Sequence, residues 1–155
     1  MRRLLLTFGI MASALTPLAA RAQSAQDDVL KVVRQLFDGM RKGDSAMVRA
    51  VFHPEAALLR PMEREGQVTI QKVPIENFIR AIGTPHPEVW DEKVWNEKVF
   101  VDDRLATAWM EYAFFLGTKL SHCGVDAFTF VKMADGWKIV GLADTQRRDN
   151  CKVPN

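Results

Sequence analysis

The chain has 155 residues, of which 48% are hydrophobic and 26% are charged, and its formal net charge is +2. This length fits one domain, and the composition excludes an intrinsically disordered or collagen-like chain. Two cysteines are too few for a disulfide-rich scaffold or a four-cysteine zinc module.

The first 22 residues have the pattern of a secretory signal peptide. Two arginines precede an apolar stretch over residues 4–15, and residues 20–22 form a small-x-small cleavage site. Cleavage between Ala22 and Gln23 predicts a periplasmic or secreted protein without a membrane anchor, because a spanning helix needs roughly 20 apolar residues. Removing this segment takes away three of the 21 basic residues and none of the 19 acidic ones, so the net charge becomes −1. We therefore expect no nucleic-acid partner, since such proteins cluster Lys and Arg on one face.

Three helices are predicted in the first half of the chain. The first spans residues 28–42, and Gly43 and Asp44 then fit its C′ position and the N-cap of a short second helix. That second helix ends at Pro54, and the third begins at Pro74. Apolar side chains recur at helical spacing and are expected to face the core; they are Val29, Val33, Leu36, Phe37, Met40, Met47, Val48, Val51, Phe52, Ile75, Phe78, Ile79 and Ile82.

Six strands are predicted: two short ones on either side of a glycine-containing turn at 63–66, and four longer ones in which apolar residues alternate. Their ranges are 57–62, 67–73, 89–101, 105–117, 123–133 and 137–145. Short turns at 102–103 and 134–136 predict antiparallel hairpins. Helices that precede mainly antiparallel strands are typical of an α+β fold, with the helices on one face of a curved sheet.

The strand over residues 105–117 is largely apolar on both faces. We assign the face without charge, which includes Tyr112, to the interior of the domain. Trp109 and Phe115 then fall on the outer face, where they would contact either a partner subunit or the core of a single chain.

The two cysteines, Cys123 and Cys151, have one pairing available to them. An exported protein can keep a disulfide, and a bridge over this span contributes roughly 3 kcal/mol to stability. The alternative is two free thiols.

We expect a signal peptide over 1–22, a domain over 23–148 and a C-terminal tail over 149–155.

Three stretches carry a resemblance to a known family: FHPEA at 52–56, LSHCGVDAF at 120–128 and DGWKI at 135–139. With them, residues 28–148 resemble the nuclear transport factor 2-like superfamily, in its lumazine-binding-like and SnoaL-like branches. The resemblance implies a cone of three helices closed by a strongly curved, mixed, mostly antiparallel sheet, often dimeric through the sheet's outer face. This scaffold hosts isomerases, cyclases, dehydratases and proteins without known catalysis, so function must be argued from the site.

The candidate site lies where the last two strands bring two aspartates together. A hairpin centred on Asp135 places Asp126 opposite Asp144, and opposed residues project to the same face. Facing carboxylates repel each other unless they share a proton, bind a cation or have a basic partner. The candidates for a basic partner are His122, Arg60 and Arg147.

Three interpretations of this cluster remain open. The acids can form a solvated rim with a surface histidine. They can form a ligand-binding site, where Asp126, Asp144 and His122 fix polar groups of the ligand over the rings of Tyr112 and Phe128. Arg60 is a further candidate ligand-binding residue. They can also perform acid–base catalysis, which requires a carboxyl group of raised pKa and an oxyanion donor such as Tyr112. The catalytic candidates are Asp126, Asp144 and His122.

We expect an exported, non-catalytic domain that binds a small apolar or heteroaromatic ligand and forms a homodimer through the outer sheet face. The alternatives are an isomerase, cyclase or dehydratase with a carboxylate base, and a dimeric protein-interaction module. No resident cofactor is predicted, and no metal, because the acids and His122 lack tight ligand spacing. His53 is expected to cap a helix end, and His86 to lie exposed in a loop.

Overall fold

The computed structural model describes residues 18–154 of the chain, with side chains from residue 23 onward. The elements are α1 Leu18–Lys42, α2 Ser45–Val51, β1 Phe52–Arg64, β2 Gln67–Pro74, α3 Ile75–Gly83, β3 Trp90–Asp102, β4 Leu105–Leu116, β5 Lys119–Met133 and β6 Gly136–Asp144. The apolar stretch of the predicted signal peptide lies outside the described residues. Within residues 18–154, no helix combines the length and the hydropathy that crossing a membrane requires.

The six strands form one sheet in the order β2-β1-β6-β5-β4-β3. Strands β1 and β6 run parallel, and every other neighbouring pair is antiparallel. Register shifts interrupt four of the five pairings, and such irregularities bend and twist the strands. The helices pack on one face of this bent sheet, so the predicted cone-shaped α+β fold is confirmed.

Helix α1 begins at Leu18 rather than at residue 28. Its first turns are rich in alanine, the strongest helix former, so the helix continues across the predicted cleavage site. The side-chain amide of Gln26 donates a hydrogen bond of 2.9 Å to the carbonyl of Val99, which ties this part of the helix to β3. The predicted end of α1 at Lys42 is confirmed, and Gly43 follows it with a φ of 64°. Asp44 then caps α2, as predicted, by accepting a hydrogen bond from the Met47 N–H at 2.9 Å.

Strand β1 is longer than predicted and begins at Phe52, a residue that the sequence pattern places in the second helix. Phe52 pairs with Ile139, and regular pairing then resumes only at Ala57. The interruption contains Pro54, which has no N–H to donate to a neighbouring strand. His53 therefore lies in β1, where its Nδ1 accepts from the Glu55 N–H at 3.2 Å, and the prediction that it caps a helix is wrong.

Strand β5 also begins earlier than predicted, at Lys119. Leu116 pairs with Lys119 across a two-residue turn, in which Gly117 takes a φ of 59° that favours glycine. His122 consequently lies within the strand instead of in the turn before it.

The core lies between the helices and the inner face of the sheet. The predicted helix positions are buried, except that Met47 and Phe78 are half-buried. On β4, Tyr112 is 2% exposed, whereas Trp109 on the opposite face is 50% exposed. The assignment of the two faces of β4 is confirmed.

Cys123 and Cys151 form a disulfide, as predicted, with their Cα atoms 5.7 Å apart. The backbones of Cys123 and Arg147 exchange two hydrogen bonds of 3.0 and 2.9 Å. The segment after β6 therefore continues alongside β5 and is held there covalently. A disulfide is compatible with export to an oxidising compartment.

Candidate functional site

A cavity of about 200 Å³ lies between the helices and one end of the inner sheet face. Apolar walls come from α1, α3, β1 and β6; they include Leu36, Phe37, Met40, Leu58, Phe78 and Leu142. Polar groups come from all six strands; they are Arg60, Gln71, Glu92, Tyr112, His122, Asp126 and Asp144. The cavity thus has an apolar body and a charged end.

Strand pairing brings the two aspartates together. Asp126 pairs with Asp144, as predicted, although the turn contains two residues and Met133 pairs with Gly136. A register shift after Thr129 moves the pairing by one position and restores the opposition of the two aspartates. The predicted pairing is therefore correct, but it depends on this irregularity.

Arg60 is the basic partner of Asp144. Its Nη2 and Nε lie 2.6 and 2.8 Å from Oδ2 of Asp144, and its Nη1 donates to Oε1 of Gln146 at 2.7 Å. The parallel pairing of Leu58 with Leu142 brings Arg60 beside Asp144, because each lies two residues further along. Arg147 is exposed and does not take this role.

Asp126 is 3% exposed, and its Oδ2 accepts no hydrogen bond from the described residues. Burial raises the pKa of Asp126 to about 7, and the nearby charge of Asp144 also raises this pKa. A solvated rim is therefore the wrong description of this carboxyl group. It is a buried acid at the end of an apolar cavity.

Glu92 is a site residue that the sequence analysis missed. Its carboxyl group lines the same cavity as that of Asp126, and burial followed by the charge of Asp126 raises the pKa of Glu92 well above its ordinary value. Two neighbouring carboxyl groups that are both withdrawn from water do not ionise together, so the pair keeps a proton at neutral pH. One signal for it was available in the sequence: Glu92 is an acid that lies between Trp90 and Val94 on the same face of a predicted strand.

Tyr112 holds its hydroxyl close to the same cluster. The hydroxyl donates to the Thr145 carbonyl at 2.9 Å and lies 3.5 Å from Oδ2 of Asp144. Burial raises the pKa of Tyr112 well above its ordinary value, so the phenol stays protonated. Its proton is already engaged by the backbone.

His122 lines the cavity beside two aromatic rings. Its ring centroid lies 5.0 Å from that of Phe114 and 5.7 Å from that of Tyr112. Burial lowers the pKa of His122, and the charge of Arg60 lowers it further, so the imidazole is neutral at pH 7. It offers a hydrogen-bonding group without a charge.

Two other predicted residues lie elsewhere. Phe128 is 1% exposed and packs in the core between Phe37 and Phe130, rather than on the cavity wall. His86 stacks on Trp90 with their ring centroids 4.4 Å apart. Among residues 18–154, no three His, Cys, Asp or Glu side chains are arranged to hold a metal ion.

Solved structures with the same fold confirm the architecture. A nuclear transport factor 2-like protein of unknown function from Shewanella baltica is 17% identical, with a TM-score of 0.65 over 86% of this chain and 99% of its own. One from Novosphingobium aromaticivorans is 15% identical, with a TM-score of 0.69 over 90% and 94%. A "putative dehydratase" of this fold from Streptomyces avermitilis is 14% identical, with a TM-score of 0.64 over 81% and 98%. Identities this low show the fold alone.

No curated protein matches the chain. The profile of a family described as "Putative lumazine-binding" matches residues 24–142, which is most of the chain. The match covers the helices that line the cavity. It also includes every charged residue of the cavity lining except Asp144. The chain therefore belongs to this family, with the nuclear transport factor 2-like fold.

Proposed function

We propose that the protein is an exported, non-catalytic domain that binds a small organic ligand in the cavity. The main support is an apolar cavity of about 200 Å³ that ends at the buried acid Asp126. Oδ2 of Asp126 has no hydrogen-bond donor among the described residues. An engineered cavity of about 150 Å³ binds benzene, so this volume suits a ligand of one or two rings. The membership of a lumazine-binding family agrees with a heteroaromatic ligand.

Ligand binding is tested by thermal denaturation with a panel of one- and two-ring heteroaromatic compounds. A ligand at a hundredfold excess over its Kd stabilises the fold by about 2.7 kcal/mol. Leu58→Trp fills the cavity and should abolish this stabilisation. Leu105→Trp is the matched control, since Leu105 is 51% exposed on the outer face. Equal ligand responses in both variants, or no response in the parent protein, would contradict the proposal.

Export is supported by the disulfide and by the start of the family match at residue 24, next to the predicted cleavage site. Protein recovered from the periplasm or the medium should begin at Gln23. N-terminal sequencing checks this, and an exported chain that keeps residues 1–22 would contradict it.

Acid–base catalysis is the second candidate, because the pKa of Asp126 lies close to neutral pH. The fold neighbour described as a dehydratase belongs to the same reaction class. In its ionised form, Asp126 would take a proton from carbon beside a carbonyl, and a deuteron from heavy water would replace it. Deuterium exchange into a bicyclic ketone such as 2-tetralone, lost in Asp126→Asn, would favour catalysis. No exchange above the Asp126→Asn background would leave binding as the function.

A homodimer through the outer sheet face completes the proposal. An apolar groove crosses this face, and the large side chains beside it include Phe100 and Trp109, which are 67% and 50% exposed. Exposed apolar patches of this kind mark interaction surfaces. A second copy of the chain presents the same groove, so one symmetric interface would cover the grooves of both copies.

A further inference from the structure

Building on the proposed binding function, we infer that the ligand is a small aromatic compound with a basic, N–H-rich edge of the cyclic guanidine class. This edge would pair with Asp126 and Glu92 at the charged end of the cavity. The aromatic body would lie against Leu36, Phe37 and Met40.

The charges of the cavity favour a cation over an anion. Among the described residues that line it, three are carboxyl groups, Glu92, Asp126 and Asp144, and one is a cation, Arg60. Arg60 is already paired with Asp144, and His122 is neutral. The carboxyl pair of Glu92 and Asp126 is thus left without a positive partner. An anionic ligand would add a further negative charge at this end.

The hydrogen bonds point to a donor. Oδ2 of Asp126 is buried and receives no N–H or O–H from residues 18–154, so it has an unused acceptor site. Buried acceptors without a donor are costly, and a ligand N–H would remove that cost. A guanidinium offers two parallel N–H groups, the arrangement by which arginine binds carboxylates.

The selectivity is tested by calorimetry at neutral pH on the disulfide-bonded protein. The probes are 2-aminobenzimidazole, its carbocyclic analogue 2-methylindene, and the anion benzofuran-2-carboxylate. We expect 2-aminobenzimidazole to bind at least tenfold more tightly than 2-methylindene, and the anion to bind most weakly. Equal or reversed affinities would overturn the inference while leaving the proposed binding function in place. No binding of any probe would count against both.

Variants locate the contact. Glu92→Gln and Asp126→Asn should each reduce the affinity for 2-aminobenzimidazole at least tenfold and leave that for 2-methylindene unchanged. Glu97→Gln, on an exposed position of the same strand as Glu92, should change neither affinity. If Asp126→Asn does not fold, Glu92→Gln alone decides. A parallel loss for both probes would indicate a damaged cavity and overturn the assignment.

Discussion

Asp126 is the charged side chain that the fold buries in the described core. Water would solvate an ionised carboxylate, and the apolar cavity wall does not, so the protonated form is favoured inside the protein. The neighbouring Glu92 is in the same situation, and the two groups hold a proton between them. This arrangement makes folding depend on pH.

The first prediction concerns that dependence. The pKa of Asp126 rises from 3.8 to about 7, so the folded protein keeps a proton that the unfolded chain releases between these values. The contribution of this proton to the free energy of unfolding is fully present below pH 3.8 and is lost as the pH rises through 7. Asp126→Asn removes this titration, so its stability relative to the parent protein should rise by on the order of 4 kcal/mol as the pH increases from about 4 to about 8. Urea denaturation across this range measures the gain.

Glu97→Gln is the control for the pH series, because its carboxyl group is exposed. It should reproduce the pH profile of the parent protein. If the profile of Asp126→Asn also ran parallel to the parent, the proton would not be held by Asp126 in the fold.

Gly124 carries the second prediction. A Cβ at this position would lie 1.8 Å from the Thr145 carbonyl oxygen and 2.7 Å from Cε1 of Tyr112. The backbone must move to admit it, so Gly124→Ala should cost about 3 kcal/mol, at the upper end for an overpacked site. Thermal denaturation checks the loss.

Gly141→Ala is the matched control, because a Cβ at Gly141 meets no atom within 4 Å among the described residues. Its denaturation temperature should stay close to that of the parent protein. Equal destabilisation by the two substitutions would mean that the close approach of Thr145 is not what requires glycine.

At the scale of elements, the segment after β6 matters most for the site. It supplies the Thr145 carbonyl for Tyr112 and Gln146 for Arg60, and the disulfide anchors its end to β5. Both contacts lie at the charged end of the cavity. The disulfide therefore stabilises the site as well as the chain terminus.

The third prediction is that Cys123→Ser/Cys151→Ser lowers the free energy of unfolding by about 3–4 kcal/mol, the loop-entropy value for a separation of 28 residues. The loss should also weaken ligand binding, because the segment that orients Arg60 is released. Urea denaturation of the oxidised protein and the double variant measures the loss. A double variant as stable as the oxidised protein would contradict it.

At the scale of the whole molecule, the proposed homodimer depends on the apolar groove of the outer sheet face. The fourth prediction is that the protein is a dimer in solution and that Trp109→Glu makes it monomeric, because a charge in the centre of an apolar interface is not compensated. Sedimentation velocity distinguishes the two states. Ile70→Glu is the control, since Ile70 is 72% exposed on β2 and away from the groove. If Ile70→Glu dissociated the dimer and Trp109→Glu did not, the interface would lie at the edge of the sheet instead of at the groove.

The sequence by itself determined the elements, the two faces of β4 and the disulfide partners. These features follow from local periodicity, from turn residues and from a single available cysteine pair. The exceptions are also local: alanines extend α1 across the predicted cleavage site, and the interruption at Pro54 joins Phe52 to a strand.

Only the tertiary structure decided which charges meet. Arg60 and Asp144 are 84 residues apart and become neighbours through the parallel pairing of β1 with β6, which no hairpin pattern encodes. Glu92 reaches Asp126 across β4, and the same packing leaves a cavity beside them while Phe128 is buried in the core. Pairing between distant strands depends on how the whole sheet bends around the helices. The candidate site could therefore be predicted only in part from local patterns.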